Sequence, residues 1–517
     1  ITAITFTRKA AGELRERLHA RIGELAQWVS ATTFHALGLS FLRQWPDAAG
    51  LPAGFRVLDE NARQAVVKEI VAQMGLDGDA GKLANAIGRA KADAVPADLQ
   101  GDLAAVLARY EAALKAIDAI DFDDLVLRAV RLFEARPDLL AHARSRCVHL
   151  LVDEYQDVNA SQYRLVRLLA PDAESNLCVV GDPDQAIYGF RGADPSYFGR
   201  FADDYPGCRT INLGRNYRST AKVVDLAKAV IAEAPGRDAR LLVAGIADGA
   251  DVVRHVVADE RAEADLIVAE IERAVGGTSM LVAGATGDCD GQLAFHDIAV
   301  LTRLSAQADA IEEALGRASI PCQRASSDAL TGRPHVADLL GRLEREIGRH
   351  GSLSLADTLA KLDPDAKIDP RRQQVVELLC TLAVPFGSDL RAFLEAIATW
   401  RDSDLGLGAQ KVSLLTLHAG KGLEFPLVFI AGCEDGIVPL RLPWLPPADV
   451  DEERRLLYVG MTRAKRRLVL TAARKRNLLG RQLENPPCPF LRGLGPGLLV
   501  DNQVASRAPK PRQLSLL

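Results

Sequence analysis

Apolar positions along this chain recur at two spacings, and the two alternate. Short apolar-rich runs at 148–152, 177–180, 252–257, 298–302, 412–415, 427–431 and 467–471 read as strands of parallel sheets. Between them, apolar residues return at helical spacing: Leu14, Leu18, Ile22 and Leu25 form one such stripe, and further helices are expected from Arg261 and Ala306. Strands alternating with helices predict an α/β chain. Two long stretches break the alternation, about 45–143 and 327–404. Both are helical in period and punctuated by Gly and Pro, so they read as helical insertions. From Asn485 the chain is rich in Pro and Gly, and from Asp501 it is polar, which predicts a flexible tail over 485–517.

Several of the strand-like runs stop on chemistry. The run at 148–152 ends on Asp153-Glu154, at the C-terminal end of a strand, where open α/β sheets bind ligands. Two adjacent carboxylates there suit nucleotide hydrolysis. Asp153 can hold Mg²⁺, directly or through water, and Glu154 can orient or deprotonate the attacking water. Residues 177–182 end on Gly181-Asp182, and Gln185, Tyr188, Phe190 and Arg191 follow at once. Tyr188 and Phe190 offer flat faces to unstacked bases, with Arg191 as a cation beside them. Aromatics at this spacing also serve as core; the flanking Gly189 and Gly192 favour an exposed loop.

A length of 517 residues leaves room for several domains, and 48% apolar with 25% charged residues is globular. No apolar segment is long enough to span a bilayer. The eight cysteines include no CxxC pair, which points to reduced thiols in the cytoplasm. Net charge is −5, yet from Arg454 to Leu517 there are 14 Lys/Arg against 2 Asp/Glu. That run is either a cationic surface or a solvated face.

Asp153-Glu-Tyr-Gln-Asp157 resembles the Walker B box of superfamily 1 DNA helicases of the UvrD/Rep/PcrA type. Six further motifs resemble that family in the same order. They are Thr5-Phe-Thr-Arg-Lys9 (motif Ia), Thr32-Thr-Phe-His35 (Ib), Gly181-Asp-Pro-Asp-Gln-Ala-Ile-Tyr-Gly-Phe-Arg-Gly-Ala193 (III), Leu213-Gly-Arg-Asn-Tyr-Arg-Ser219 (IV), Leu415-Thr-Leu-His-Ala-Gly-Lys-Gly-Leu-Glu424 (V) and Glu453-Arg-Arg-Leu-Leu-Tyr-Val-Gly-Met-Thr-Arg-Ala464 (VI). The resemblance implies two RecA-like parallel-sheet lobes. The first would take 1–45 and 144–210, with 46–143 as its helical insertion. The second would take 211–326 and 405–484, with 327–404 as a short insertion.

It also implies an ATP-dependent translocase or helicase acting on single-stranded and junction DNA, moving 3′ to 5′, with Mg²⁺ at Asp153. Glu154, Arg463, Arg218 and Gln185 would be the catalytic set, with Arg463 the arginine finger and Gln185 the γ-phosphate sensor. Tyr217 would stack on adenine and Glu424 would contact the sugar. Thr5, Phe6, Thr7, Lys9, His35, Tyr188, Phe190, Arg191, Thr416 and His418 would lie along the DNA strand. Alone, His35 reads equally as a packed residue and Arg463 as a surface cation.

The family's phosphate-binding loop, Gly-x-x-x-x-Gly-Lys-Ser/Thr, occurs nowhere in the chain, which opens on Ile1 in the middle of motif Ia. The expectation is an N-terminally truncated helicase that as given binds ATP poorly; the rival is a hydrolysis-dead, single-strand-binding adaptor. Finally, Gln513-Leu-Ser-Leu-Leu517 resembles the bacterial sliding-clamp-binding motif, with Leu517 where Phe is usual. Gln513 would fill a polar subsite, and Leu514, Leu516 and Leu517 an apolar groove. The alternative is a frayed end or a strand docked on the chain's own body.

Overall fold

The computed structural model describes residues 1–76, 79–92, 101–234, 242–247, 249–276, 293–325, 330, 334–347, 354–363, 370–398, 400, 410–444, 448–495 and 497–503. They divide into two compact units, one of 1–182, 188–208 and 328–405, the other of 183–187, 209–327 and 406–517. The insertion at 328–405 interrupts the second unit in sequence but packs with the first, whereas the sequence reading made it an insertion of the second lobe. It has its own apolar cluster, including Leu339, Leu343, Leu359, Leu379 and Phe393.

The first unit is built on four parallel strands, β1 (Thr2–Thr5), β2 (Ser30–Thr33), β3 (His149–Val152) and β4 (Asn176–Val179), in the order β2-β1-β3-β4. Ile4, Leu150 and Val152 bury one face of this sheet with Val130, Phe133 and Val166. The other face is buried only in part: Ala3 and Ala31 are covered, whereas Leu151 and Val180 are exposed. The run at 148–152 is therefore a strand buried on alternate residues, not the fully buried strand that its apolar-rich character predicts. The stripe at Leu14–Leu25 departs further. The helix Arg8–Ile22 forms, with Thr7 accepting from the N–H of Ala10 as its cap, but Ala11 is its one buried residue, and Ile22 and Leu25 are exposed.

The second unit holds the larger sheet. Its strands are β5 (Val253–Asp259), β6 (Ile298–Thr302), β7 (Cys322–Ala325), β8 (Val412–Thr416), β9 (Phe425–Ile430), β10 (Ala464–Leu478), β11 (Arg481–Glu484) and β12 (Val500–Gln503). The order is β7-β8-β6-β9-β10-β5-β12, all parallel, with β11 antiparallel on β10. Here β6 is buried at every position, as an unbroken apolar run predicts.

Part of the predicted flexible tail is folded. The N–H of Cys488 donates to the carbonyl of Cys433, Phe490 carries the Arg454 guanidinium 4.4 Å from its ring centroid, and β12 joins the sheet edge. Arg254 grips Asp501 with two bonds of 2.7 Å. Seven cysteines are free thiols among the described residues, and no described helix is long and apolar enough to cross a membrane.

The helical insertion of the first unit carries a buried charge cluster around Lys91. Asp121 and Asp124 do cap reciprocally, the N–H of Asp124 reaching Asp121 at 2.9 Å. They also share the ammonium of Lys91, at 2.8 and 3.1 Å, with Glu111 at 2.7 Å. Burial alone would lower the Lys91 ammonium; the carboxylates reverse that and hold it above its ordinary range. Burial and Asp121 push Asp123 up to about 7 and Asp124 up to about 6. Removing the cation should strand these acids. Lys91→Met is expected to cost about 3–5 kcal/mol in urea denaturation at neutral pH. Carboxyls raised in the folded state weaken folding as pH climbs past their unfolded value of about 4. The deficit should therefore shrink at pH 5 and be full at pH 8; a pH-independent deficit would contradict this.

Candidate functional site

In the first unit the candidate chemistry gathers where β1, β3 and β4 end. The Asp153 N–H donates to the carbonyl of Ile4 at 2.9 Å, and that of Tyr155 to Val180 at 3.0 Å, so the acidic pair is fixed by both neighbouring strands. Asp153 is exposed and Glu154 half-buried. Glu154 has φ +53° and ψ +40°. A non-glycine residue in this left-handed region costs about 1–3 kcal/mol and persists only when its surroundings impose it.

Backbone bonds bracket this residue on both sides, and Gln156, wholly buried, braces its carboxylate. Its amide N–H donates to Glu154 Oε2 at 2.5 Å, and its amide oxygen accepts from the Asp182 N–H at 3.0 Å. A Cβ on Gly181 would lie 2.5 Å from that amide oxygen and 2.8 Å from the Phe198 ring, so glycine is required there. Just beyond, Asn159 and Gln162 form a complete capping box on the helix Ala160–Leu169. Gln156 was visible in the motif, but its hold on Glu154 depends on a backbone angle that no residue pattern states.

The predicted strand-contacting residues of this unit lie on two adjoining features. Thr5 and Thr7 shape the turn into the first helix, the Thr5 hydroxyl donating to the Thr7 carbonyl at 2.9 Å. Lys9 lies 3.9 Å from Glu13. Phe6 stacks on Tyr188, centroids 5.0 Å apart. Tyr188 is buried, so it supports Phe6 and does not offer the open face expected of it. Phe190 does, being 43% exposed, with the Arg191 guanidinium 5.3 Å from its centroid. His35 stacks on Phe122 at 3.8 Å, beside the cap that Thr33 makes for the helix Phe34–Gln44.

In the second unit, cations converge on Glu424. Arg218 reaches it at 2.6 Å and Lys465 at 2.6 Å. Burial works to raise the Glu424 carboxyl, but the hydrogen bonds from Lys465 and Arg218 outweigh it and hold it below the usual range. Tyr217 is 75% exposed, its ring 5.4 Å from the Arg215 guanidinium. Residues 183–187 cluster with this unit. Lys421 donates to the carbonyl of Gln185 and Arg455 to that of Ala186, each at 2.7 Å. Thr416 accepts from the N–H of Ala419, and His418 is half-buried in the same turn.

Arg463 is the largest fully buried side chain among the described residues, so it is not the surface cation that its turn alone suggests. Its guanidinium donates to the carbonyls of Val459 and Leu423 at 2.9 and 3.3 Å, to Thr462 Oγ1 at 3.0 Å and to Gln185 Oε1 at 3.4 Å. These four acceptors are neutral, and together they fix the direction of the guanidinium. Glu453, which precedes it on the helix Val450–Met461, is locked to Arg303 by bonds of 2.6 and 3.0 Å and accepts from the Leu440 N–H. Five cations of the basic run from Arg454 are held in such pairs: Arg454 on Glu233, Lys465 on Glu424, Arg467 on Glu270, Lys475 on Glu484, and buried Arg476 on Glu263 and Glu434. Gln513, Leu514, Leu516 and Leu517 lie outside the described residues.

The candidate residues thus fall in both units, the acidic pair in the first, and Arg218, Arg463 and exposed Tyr217 in the second. Comparison with known proteins identifies the family. Residues 1–206 match the UvrD/REP helicase N-terminal domain, and 211–377 with 373–475 match the UvrD-like helicase C-terminal domain. The chain is 31% identical to the ATP-dependent DNA helicase PcrA of Leuconostoc citreum, over 96% of this chain and 79% of that protein. It is 30% identical to the ATP-dependent DNA helicase UvrD1 of Mycobacterium tuberculosis, over 99% of this chain and 80% of the relative. The Staphylococcus aureus PcrA is 29% identical over 98% of this chain. On this agreement across both units, the chain belongs to the UvrD-like helicase family.

Proposed function

We propose that these residues form the motor of an ATP-dependent DNA helicase that translocates along single-stranded DNA, 3′ to 5′. The observation that carries this is Glu154, held at φ +53° against its own preference, its carboxylate braced by Gln156. Such strain serves a carboxylate that must meet a water molecule. Asp153, exposed beside it, suits Mg²⁺, which takes one or two carboxylates and otherwise water and phosphate oxygens. When bound, the ion would neutralise phosphate charge. Arg218, Arg463 and Gln185 would address the γ-phosphate, where a rigid, permanently charged guanidinium stabilises dispersed charge. Tyr217 would take the adenine ring and Glu424 the sugar. Thr5, Phe6, Thr7, Lys9, His35, Phe190, Arg191, Thr416 and His418 would contact the strand.

A second reading, a single-strand-binding adaptor that does not hydrolyse ATP, is favoured by one observation: the 517 residues contain no Gly-x-x-x-x-Gly-Lys-Ser/Thr loop. Without its N–H groups and Lys, the β- and γ-phosphates have no cradle. The motor reading expects residues 1–517 to show no DNA-stimulated ATPase. Fusing a segment that carries a Gly-x-x-x-x-Gly-Lys-Ser/Thr loop to the N-terminus should confer it. In that fusion, Glu154→Gln and Arg463→Ala should each lower kcat by about 10³–10⁵, sparing single-strand binding. A fusion that binds DNA but never hydrolyses would favour the adaptor. Near-normal turnover in either mutant would refute that residue's role.

We also propose that Gln513-Leu-Ser-Leu-Leu517 tethers the motor to the bacterial sliding clamp. A short peptide suffices, because a linker raises its effective concentration. In titrations with the clamp, the intact chain should bind and a chain ending at Arg512 should not. Equal binding by both, or none by either, would end the idea.

A further inference from the structure

The helix Ala80–Ala92, inside the first unit's insertion, ends against three elements that bear on function. Lys91 is buried among Asp121, Asp124 and Glu111. The carbonyls of Lys91 and Ala92 both accept from Ser161 Oγ, at 3.1 Å each, and buried Ser161 lies on the helix that follows the Asp153–Asp157 box. Gly88 packs so closely that an added Cβ would sit 3.0 Å from Asp123 Oδ2 and Arg63 Nη2. This end of the helix is therefore fixed to the scaffold that carries the acidic pair. From it the exposed Arg89 extends, and its Nε–H donates to the carbonyl of Phe190 at 3.1 Å.

We propose that Arg89 is a positioning residue for single-stranded DNA. It holds the Gly189–Arg191 turn so that the exposed Phe190 ring stays presented to a base. The inference rests on the reading of Phe190 as a base-stacking residue. Gly192, at φ +82°, makes the turn's exit easy to reshape, so an external hold on its carbonyl matters. A planar guanidinium suits the task because Nε–H points along a set direction, whereas an ammonium on a flexible stem does not.

The test is fluorescence anisotropy of the full chain with a labelled oligothymidine, across a salt series. Phe190→Ala should weaken binding by about five- to a hundredfold, the value of one base–aromatic stack. Arg89→Ala should weaken it by about two- to tenfold, as for one hydrogen bond. Because Arg89 acts through Phe190, Arg89→Ala should change nothing in the Phe190→Ala background, Arg89→Lys should not rescue, and the salt slope should stay constant. Full rescue by Lys, with a slope shallower by about 0.7 for Arg89→Ala, would mean a direct phosphate contact and overturn the proposal. Additive losses, or no loss in Arg89→Ala while Phe190→Ala weakens binding, would also overturn it. If Phe190→Ala binds normally, the base-stacking reading falls as well.

Discussion

The structure of the first unit turns on a left-handed residue. A strand that ended on Asp153 and turned in an ordinary conformation would send the next carboxylate elsewhere. Gln156 braces the turn, holding Glu154 with one end of its amide and the Asp182 N–H with the other. The amide bridges the ends of two adjacent parallel strands, so the position of Glu154 is tied to the register of β3 against β4. Gly181 leaves the space, and buried Tyr155 anchors the turn in the core. Several residues that look like sequence decoration are therefore parts of one constraint.

Charge is handled by a common rule in both units. Cations that might form a diffuse basic surface are spent in specific, partly buried pairs, such as Lys91 among three carboxylates, Arg476 between Glu263 and Glu434, and Arg303 on Glu453. Burial pushes Glu434 up to about 7, with Arg476 and its hydrogen bonds opposing that rise. Such clusters are costly to break and so fix the relation of helix to sheet. Arg463 differs in kind. It is buried and donates to carbonyl, amide and hydroxyl oxygens of its own unit.

Much of this was legible in the residues. Strand-like apolar runs ending on Asp153-Glu154, Gly181-Asp182 and Thr416 located the sheets, because parallel strands place chemistry at their C-terminal ends. What failed to show depended on distance or on backbone angle. The strand Val500–Gln503 pairs with Val253–Val256 across nearly half the chain, and local Pro and Gly content hid it. Tyr188 and Phe190 have the same local signature, yet one is under Phe6 and the other exposed. The stripe from Leu14 to Leu25 predicted a helix, which forms over Arg8–Ile22, but periodicity shows which face is apolar and not what covers it. The charge cluster around Lys91 draws on three segments whose spacing carries no signal.

The account stands or falls on whether Gln156 holds Glu154 in a working position. The direct measurement is single-turnover ATP hydrolysis by Gln156→Ala, set beside the parent protein, in the chain supplied with a phosphate loop. The prediction is a loss in kcat of about 10²-fold or more, the scale of misplacing a catalytic group, with single-strand affinity unchanged. A Gln156→Ala protein that turns over ATP at the parent rate would contradict it.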